Sequence, residues 1–295
     1  MNKQSRPWAY SFPALVVIGL IVLFPILYTG YISLTNMNVY HWFNFRLIGL
    51  QNYGKALFVF DSGFLPALLR TILWTVLNMV IQVAVSFLLA VLLNSEGLVL
   101  KNFYKTLLMF PWAMPAYVSI LLWRLGIFNS QLGLLNHWLG LLHLAPVNWL
   151  NGNVSAFFCC MAVNLWMAFP FMILTMDGAI QSIDKAYYES AVLEGAGAFT
   201  RMTRITFPMI RPIVAPAIVL TTFVTFKQFD IVFLMTQQPG AKTGADIHTV
   251  ITYAYEKAFL TNNYGYSAAI SILIFAIIIV LSLLYRNPIR KEGAQ

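Results

Sequence analysis

The sequence predicts an all-α polytopic membrane protein with six transmembrane helices, and three observations support that prediction. Hydrophobic residues make up 60% of the 295 residues and charged residues only 9%, whereas a soluble domain carries roughly 25% charged residues. The mean hydropathy of +0.74 is typical of a membrane protein. The apolar residues gather in runs of about 20, the length that crosses the hydrocarbon core, and most charges lie between the runs. One transmembrane domain, residues 1–295, accounts for the chain.

Charge identifies the role of the first apolar run, and the spacing of polar residues indicates the role of the second. The first holds no charge, and although Lys3 and Arg6 precede it, its length and the lack of an Ala-x-Ala site indicate an uncleaved anchor rather than a signal peptide. In the second, Asn78, Gln82 and Ser86 follow one another at four-residue spacing, which favours helix packing. The predicted spans are about 12–34, 71–94, 106–123, 154–176, 212–235 and 264–285.

The third and fourth runs contain prolines, which predict kinked helices. Pro111 and Pro115 lie in the third run and Pro170 in the fourth. The fourth also contains the adjacent residues Cys159 and Cys160. Adjacent cysteines rarely form a disulfide, and one such pair is not a zinc pattern. We interpret both as small buried hydrophobic residues.

The fifth run is interrupted by Lys227 and Asp230, whereas the sixth holds no charge. A charge near the bilayer centre costs about 2.5–3.5 kcal/mol on insertion scales. These two residues, spaced i, i+3, either pair in a wet cavity or lie near the outer interface. Thr221, Thr225 and Gln228, at i, i+4 and i+7, are expected on one helix face. They serve either a solute site or hydrogen bonds between helices.

The positions of Lys and Arg predict that both termini lie in the cytoplasm. With the N-terminus inside, the cytoplasmic segments hold eleven of the eighteen basic residues. No dense basic stripe accompanies the net charge of +8, so nucleic-acid binding is not expected. The segments assigned outside, residues 35–70, 125–153 and 236–263, suit a wet outer face, with a short surface helix near 132–142.

Residues 182–211, called the polar segment below, read SIDKAYYESAVLEGAGAFTRMTRITFPMIR. Seven charged residues crowd into this stretch between two apolar runs, so it must sit in water. Small residues at its centre would let another surface approach closely. The polar segment is therefore interpreted as a docking device for a soluble partner, with a plain solvated loop as the alternative.

Local signals predict a helix, a glycine turn and a second helix in the polar segment. Asp184 can cap the first helix by accepting from free backbone N–H groups. Gly195 limits the end of that helix. A second short helix is expected at 199–206, stopped by Pro208 and Pro212.

Three pieces of the polar segment resemble the EAA loop of binding-protein-dependent ABC importer permeases. In the sugar-importing branch this loop is close to Y-E-A-A-x-x-D-G-A and ends in I-T-L-P. The chain departs from that form at Ser190, Glu194 and Phe207, while the glycine spacing is intact. The matching pieces are Tyr188-Glu189-Ser190-Ala191, Glu194-Gly195-Ala196 and Ile205-Thr206-Phe207-Pro208.

The resemblance extends along most of the chain and is to the maltose/maltodextrin type, first-permease kind. It implies the type I importer permease fold, with the polar segment as a cytoplasmic EAA coupling loop, in a bacterial plasma (inner) membrane. Further pieces that resemble this family are residues 45–53 after the first span, 110–115 and 122–124 in the third, 164–166 and 169–171 in the fourth, 226–230 and 234–236 in the fifth, and 264–269 at the start of the sixth.

The resemblance also implies which residues act. In this family Glu189 would meet a basic residue of an ATPase, with Ala191 and Gly195 allowing a close fit. Lys227, if it lines the path, would favour an anionic or uronate-bearing sugar. The implied coupling positions are Tyr188, Glu189, Ser190, Ala191, Glu194, Gly195, Ala196 and Gly197. The implied solute-path positions are Met167, Ala168, Phe171, Thr221, Val224, Thr225, Lys227 and Gln228.

The resemblance further implies a transport subunit, not an enzyme, with no catalytic residue, metal or cofactor of its own. ATP and Mg would bind a separate ATP-binding subunit, present as a dimer. The chain has no G-x-x-x-x-G-K-[ST] element, since the run Gly240-Ala241-Lys242-Thr243 lacks the upstream glycine. The other implied partners are a second homologous permease, an extracellular or periplasmic solute-binding protein, the sugar and membrane lipid.

Three other functions are weighed against sugar import. A permease for another polar or anionic solute, such as glycerol phosphate or a uronate oligosaccharide, would share the same loop. A membrane enzyme would need carboxylates or a metal cluster near a membrane face. Asp177 and Asp184 flank the inner end of the fourth span, but we expect no partner cluster around them. A self-sufficient secondary transporter would need an internal repeat or an intramembrane ion pathway, and neither is evident.

Overall fold

The computed structural model describes residues 6–60, 63–95, 97–237, 245 and 247–292. Within these residues the backbone is helical or irregular, and an isolated antiparallel bridge joins Thr35 and Leu47. The α-helices are α1 (Arg6–Ile18), α2 (Phe24–Ser33), α3 (Gln51–Phe58), α4 (Phe64–Leu93), α5 (Lys101–Ala113), α6 (Ala116–Leu122), α7 (Leu134–Leu141), α8 (Asn153–Gln181), α9 (Lys185–Leu193), α10 (Ala198–Arg201), α11 (Phe207–Phe226), α12 (Asp230–Val232), α13 (Val250–Tyr255) and α14 (Tyr264–Glu292). Short π-helical turns lie at Gly19–Leu23, Trp123–Ile127, Met202–Thr206, Phe233–Gln237 and Glu256–Leu260.

The predicted six-span fold is confirmed if one broken helix is counted as a single span. A bent pair, Lys101–Ala113 and Ala116–Ile127, provides this sixth span. The first and sixth boundaries agree with the prediction within two residues, whereas the fifth helical segment starts at Ala198 instead of 212. The five other segments long and apolar enough to cross a membrane are Tyr10–Ser33, Phe64–Leu93, Asn153–Gln181, Ala198–Gln237 and Tyr264–Leu283.

The third span is broken at a proline rather than gently kinked. Its two halves meet at 96°, and the residue at the break, Met114, has an extended backbone beside Pro115. Proline disfavours the helical conformation of the residue before it, which accounts for the position of the break. By contrast, α5 continues through Pro111 and α8 through Pro170.

The expected helix stop at Pro208 and Pro212 is wrong. The chain passes from α10 through a π-helical turn directly into α11, with Pro208 in its first turn and Pro212 inside it. A proline lacks the N–H donor, but a membrane helix tolerates this where π adjustments and hydroxyl side chains bond the freed carbonyls. Here the π-helical turn Met202–Thr206 runs directly into α11, and Pro208 lies in the first turn of that helix, where a missing N–H costs little.

The chain divides into two compact units: Met1–Leu68 with Val250–Val280, and Leu69–Thr249 with Leu281–Gln295. In the first unit the segment after α2 packs closely on the start of α14. The Asn52 side chain donates to the carbonyls of Ser33 and Thr35 at 2.9 and 2.8 Å, and the Gly265 N–H donates to the Met37 carbonyl at 2.9 Å. A Cβ at Gly265 would lie 2.2 Å from the Thr35 oxygen, so the approach requires glycine.

The second unit is built on α4, α8 and α11, whose buried faces contribute to two apolar clusters. Trp74 and Met235 lie in the first cluster, and Met176 and Ile210 in the second. The long helices of the second unit leave much apolar surface exposed. The segment Tyr10–Ser33 of the first unit does the same. In a protein that spans a bilayer, such surface suits contact with lipid or with other membrane helices.

Polar side chains between α4 and α8 are buried and bonded. The Asn164 amide donates to Asn78 Oδ1 at 2.8 Å, and the Gln82 amide donates to the Ala168 carbonyl at 3.0 Å. The predicted packing role is therefore confirmed for Asn78 and Gln82. The two adjacent cysteines, 159 and 160, are free and buried, as interpreted from the sequence.

Gly265→Ala tests the close approach in the first unit. The new Cβ would collide with a backbone oxygen that cannot swing away, so we expect a loss of about 1–3 kcal/mol of stability, as at other overpacked sites. Thermal unfolding in detergent, followed by tryptophan fluorescence, would show a lower Tm. Gly54→Ala is the control, because its Cβ would meet nothing within 4 Å. An unchanged Tm for Gly265→Ala would contradict the contact.

Candidate functional site

The polar segment folds as the predicted helix, glycine turn and helix. α9 begins after Asp184, whose Oδ1 accepts the N–H of Ala186 at 3.0 Å. This bond satisfies one of the free donors at the start of a helix. After the turn, α10 begins beyond Gly197. The predicted cap and the predicted break between the helices are both confirmed.

α9 ends in a Schellman motif centred on Gly195. The Ala196 N–H donates to the Ala191 carbonyl at 2.8 Å, and the Gly195 N–H donates to the Val192 carbonyl at 3.0 Å. Gly195 has a φ of +79°, in the left-handed region that costs little only for glycine. The turn therefore fixes where α9 stops and in which direction α10 leaves.

The side chains of α9 divide between an inner and an outer face. Tyr188 is half-buried and Ala191 is only 8% exposed, whereas Glu189 is exposed and Leu193 is 90% exposed. Ala191 thus packs against its own chain, which differs from the expected contact with a partner. The outer face combines a carboxylate with apolar side chains, a mixture suited to binding another protein.

Two kinds of contact attach α9 to the base of the spans. The hydroxyls of Tyr188 and Thr206 lie 3.0 Å apart, and Thr206 belongs to the π-helical turn that leads into α11. Tyr188 also packs against the apolar cluster that contains Ile180 and Ile210. A displacement of α9 would therefore displace both α8 and α11.

The residues expected along a solute path differ in exposure. The Thr221 hydroxyl donates to the Ala217 carbonyl of its own helix at 2.8 Å, so this group is bonded internally. Phe171 lies next to Trp112 of α5, with ring centroids 6.1 Å apart. Thr221 and Thr225 are buried, Met167, Ala168, Phe171 and Gln228 are half-buried, and Val224 and Lys227 are exposed.

The expected common face of Thr221, Thr225 and Gln228 is wrong. α11 ends at Phe226, and the helix resumes only at Asp230. The Gln228 N–H donates to the Thr225 carbonyl at 3.2 Å and closes the helix end with a tighter turn. Gln228 therefore does not continue the stripe. Lys227 and Asp230 are exposed, and within the residues described no ion pair joins them.

Asp177 has hydrogen-bond partners that the sequence did not predict, although none of these partners is a carboxylate or a metal ligand. Its buried carboxylate accepts from Lys105 Nζ at 2.5 Å, from Asn94 Nδ2 at 2.7 Å and from Gln181 Nε2 at 2.8 Å. Lys105 and Asn94 lie 72 and 83 residues away in the sequence, so local spacing could not reveal them. The available signal was that Asp177 is the sole charged residue in the sequence of α8.

Comparisons with known proteins agree on one family. A family model described as "Binding-protein-dependent transport system inner membrane component" matches residues 82–291. The galactooligosaccharides transport system permease protein GanP of Bacillus subtilis is 30% identical over 95% of this chain and 69% of its own length. The trehalose/maltose transport system permease protein MalF of Thermococcus litoralis is 30% identical over 92% of this chain and 90% of its own length.

A solved structure agrees with the fold. A chain from a bacterial ABC transporter involved in the import of the acidic polysaccharide alginate superposes with a TM-score of 0.81. The match covers 98% of this chain and 96% of that chain, at 21% sequence identity. At this identity the likeness establishes the fold alone.

Gly195→Ala tests the turn that ends α9. A side chain in the left-handed region costs about 1–2 kcal/mol, so we expect the last turn of α9 to fray. Hydrogen–deuterium exchange at residues 195 and 196 should become roughly tenfold faster, as about 1.4 kcal/mol implies. Gly197→Ala is the matched control, because Gly197 has a φ of −65° and open space around its Cβ. Equal protection in both variants would contradict the role of the glycine.

Proposed function

The chain belongs to the family of binding-protein-dependent transport system inner membrane components, and we propose that it is the permease subunit of an ATP-driven importer for a sugar or oligosaccharide. The main support is the polar segment. It presents a capped helix with an exposed face while hydrogen bonds and apolar contacts hold its inner face to α8 and α11. Such a helix can receive force from a separate protein and pass it to two spans.

In this proposal both termini and the polar segment face the cytoplasm. The short segments on the same side of the membrane as the polar segment carry an excess of Lys and Arg, which supports that orientation. The polar segment also carries a concentration of exposed charge that hydrocarbon would not tolerate. The long segments on the opposite side, including α7 and α13, would then meet the delivered solute.

The coupling face is proposed to be the exposed side of α9 and its turn. Glu189, Ser190 and Glu194 are exposed there and would bind polar or basic groups of an ATP-binding subunit. Gly195 and Gly197 leave the adjoining turn without bulk, so a partner can approach its backbone. Tyr188 and Ala191 act from the inner face by fixing the helix to its own chain.

ATP and Mg are proposed to bind a separate ATP-binding subunit, while this permease binds no cofactor. Closure of two such subunits on ATP would draw the docked helices together, and the spans would rock between inward-open and outward-open states. A coupling free energy of about 5.5 kcal/mol would move such an equilibrium from 1:99 to 99:1. The remaining proposed partners are a second homologous permease and an extracellular or periplasmic solute-binding protein.

The proposed solute is a neutral oligosaccharide, by analogy with the sugars in the names of GanP and MalF. Sugars offer hydroxyls to amide and hydroxyl groups and apolar ring faces to aromatic side chains. Gln228 and Phe171 supply these two chemistries and are partly exposed. Exposed Lys227 is the specific observation that favours the second candidate, an anionic sugar.

Glu189→Lys tests the coupling face. Charge reversal on an exposed carboxylate should repel the basic partner surface, so we expect the ATP-binding subunit to detach or solute-stimulated hydrolysis to fall by about tenfold or more. The measurement is ATP hydrolysis and uptake of a panel of neutral and uronate sugars by the complete transporter in proteoliposomes. Ser95→Lys, which adds charge to an exposed position on the same side of the membrane but outside the polar segment, serves as the control. Unchanged transport by Glu189→Lys would count against the docking role.

A further inference from the structure

A polar cluster around one buried carboxylate lies near the polar segment, where α4 and α8 end and α5 begins. Asp177 is 3% exposed, and its carboxylate binds Lys105 of α5, Asn94 beyond the end of α4 and Gln181 in its own helix. Lys101 adds a bond from its Nζ to Asn94 Oδ1 at 3.1 Å. One carboxylate thus holds three chain segments together.

The position of this cluster relates it to the polar segment. Asp177 stands seven residues before Asp184, which caps α9. Between them, Ala179, Ile180 and Ile183 are buried in the apolar cluster that also contacts Tyr188. The lower end of α8 and the coupling helix therefore share one packed region, and the bond to Lys105 extends that region to α5.

α5 and α8 also contact each other at a second place, farther from the polar segment. The rings of Trp112 and Phe171 lie 6.1 Å apart. Lys105 and Trp112 are seven residues apart, which places them on the same face of α5, while their partners run in the opposite order along α8. The two contacts are thus consistent with one antiparallel helix interface, and its far end includes the expected path residue Phe171.

We propose that Asp177 is a positioning residue of the transport cycle, which ties the base of α8 to α5 through Lys105 so that displacement of the coupling helix moves the inner half of the broken third span. This inference rests on the proposed import function. The third span is broken by 96° between α5 and α6. Because of this break, a movement of α6 is not passed to α5 along a continuous helix. The bond between Asp177 and Lys105 provides another connection to α5.

The chemistry of the pair suits positioning better than stability. A buried ion pair contributes little net stability compared with apolar residues of similar volume. Hydrogen bonds from three donors do, however, fix the direction of the carboxylate, and a long lysine side chain can stay bonded while helices shift slightly. A carboxylate engaged by three donors in this way serves as a fixed point rather than as a catalytic acid or base.

Two double variants separate the connection from general stability. Asp177→Asn with Lys105→Gln removes both charges but keeps side chains that can hydrogen-bond. Asp177→Leu with Lys105→Met removes the hydrogen bonds while filling the space with apolar atoms. Each is placed in the complete transporter, together with a reporter, Asn102→Cys, on exposed α5. The two native cysteines of this chain are buried, so maleimide label recovered on this chain after the subunits are separated reports the reporter thiol.

The readouts are ATP hydrolysed per sugar imported and the change in maleimide labelling rate when ATP is added. We expect the amide pair to couple as the wild type does. We expect the apolar pair to assemble, to hydrolyse about fivefold or more ATP per sugar, and to lose the ATP-dependent change at position 102. Asp177→Asn with Lys105→Met gives the same test should the apolar pair fail to assemble, because it removes the bond to α5 and leaves no unpaired buried charge.

Two outcomes would overturn the inference. In the first, the apolar pair keeps the wild-type ratio of ATP hydrolysed to sugar imported and the wild-type change in labelling. In the second, hydrolysis and uptake fall in parallel at an unchanged ratio, as a merely structural role predicts. Failure of the wild-type complex to show sugar-stimulated hydrolysis would overturn the proposed function instead. The two failures are therefore distinguishable in one set of measurements.

Discussion

Hydrocarbon offers no hydrogen bonds, so a helix that breaks inside a membrane must bond its freed backbone groups to other parts of the protein. In the second unit these bonds come from side chains. Trp74 Nε1 donates to the Thr225 carbonyl at 3.3 Å, beside the end of α11. Arg124 donates to the Leu234 carbonyl at 2.5 Å, inside a π-helical turn. These two side chains thus bond backbone carbonyls at places where the helices are irregular.

This arrangement divides the spans into rigid and adjustable parts. α8 stays α-helical from Asn153 to Gln181, whereas the third and fifth spans contain breaks and π-helical turns. The polar segment joins the rigid span to an irregular one. Force applied to α9 would therefore act on the continuous helix α8 and on the irregular fifth span. Such a combination suits a change between two discrete states.

The sequence predicted features that depend on local chemistry and missed those that depend on distant partners. The cap at Asp184 and the turn at Gly195 follow from the conformations that these residues favour. The break at Pro115 was foreseen as a kink, but the same rule failed at Pro208, because a π-helical turn leads into α11 and a proline in the first turn of a helix leaves little unsatisfied. The partners of Asp177 were out of reach, since apolar periodicity carries no information on which helices pack together.

The break in the fifth span also changes which groups a passing solute can contact. A continuous helix would have aligned Thr221, Thr225 and Gln228, but the two threonines are buried and Gln228 lies beyond the helix end. The exposed groups near the break are Val224, Lys227 and Asp230, with Gln228 partly exposed. Irregular backbone at membrane depth is tolerated where protein buries it or where it lines a water-filled cavity. The side chains at the break, rather than the buried hydroxyl stripe, are therefore the part of this span suited to a polar solute.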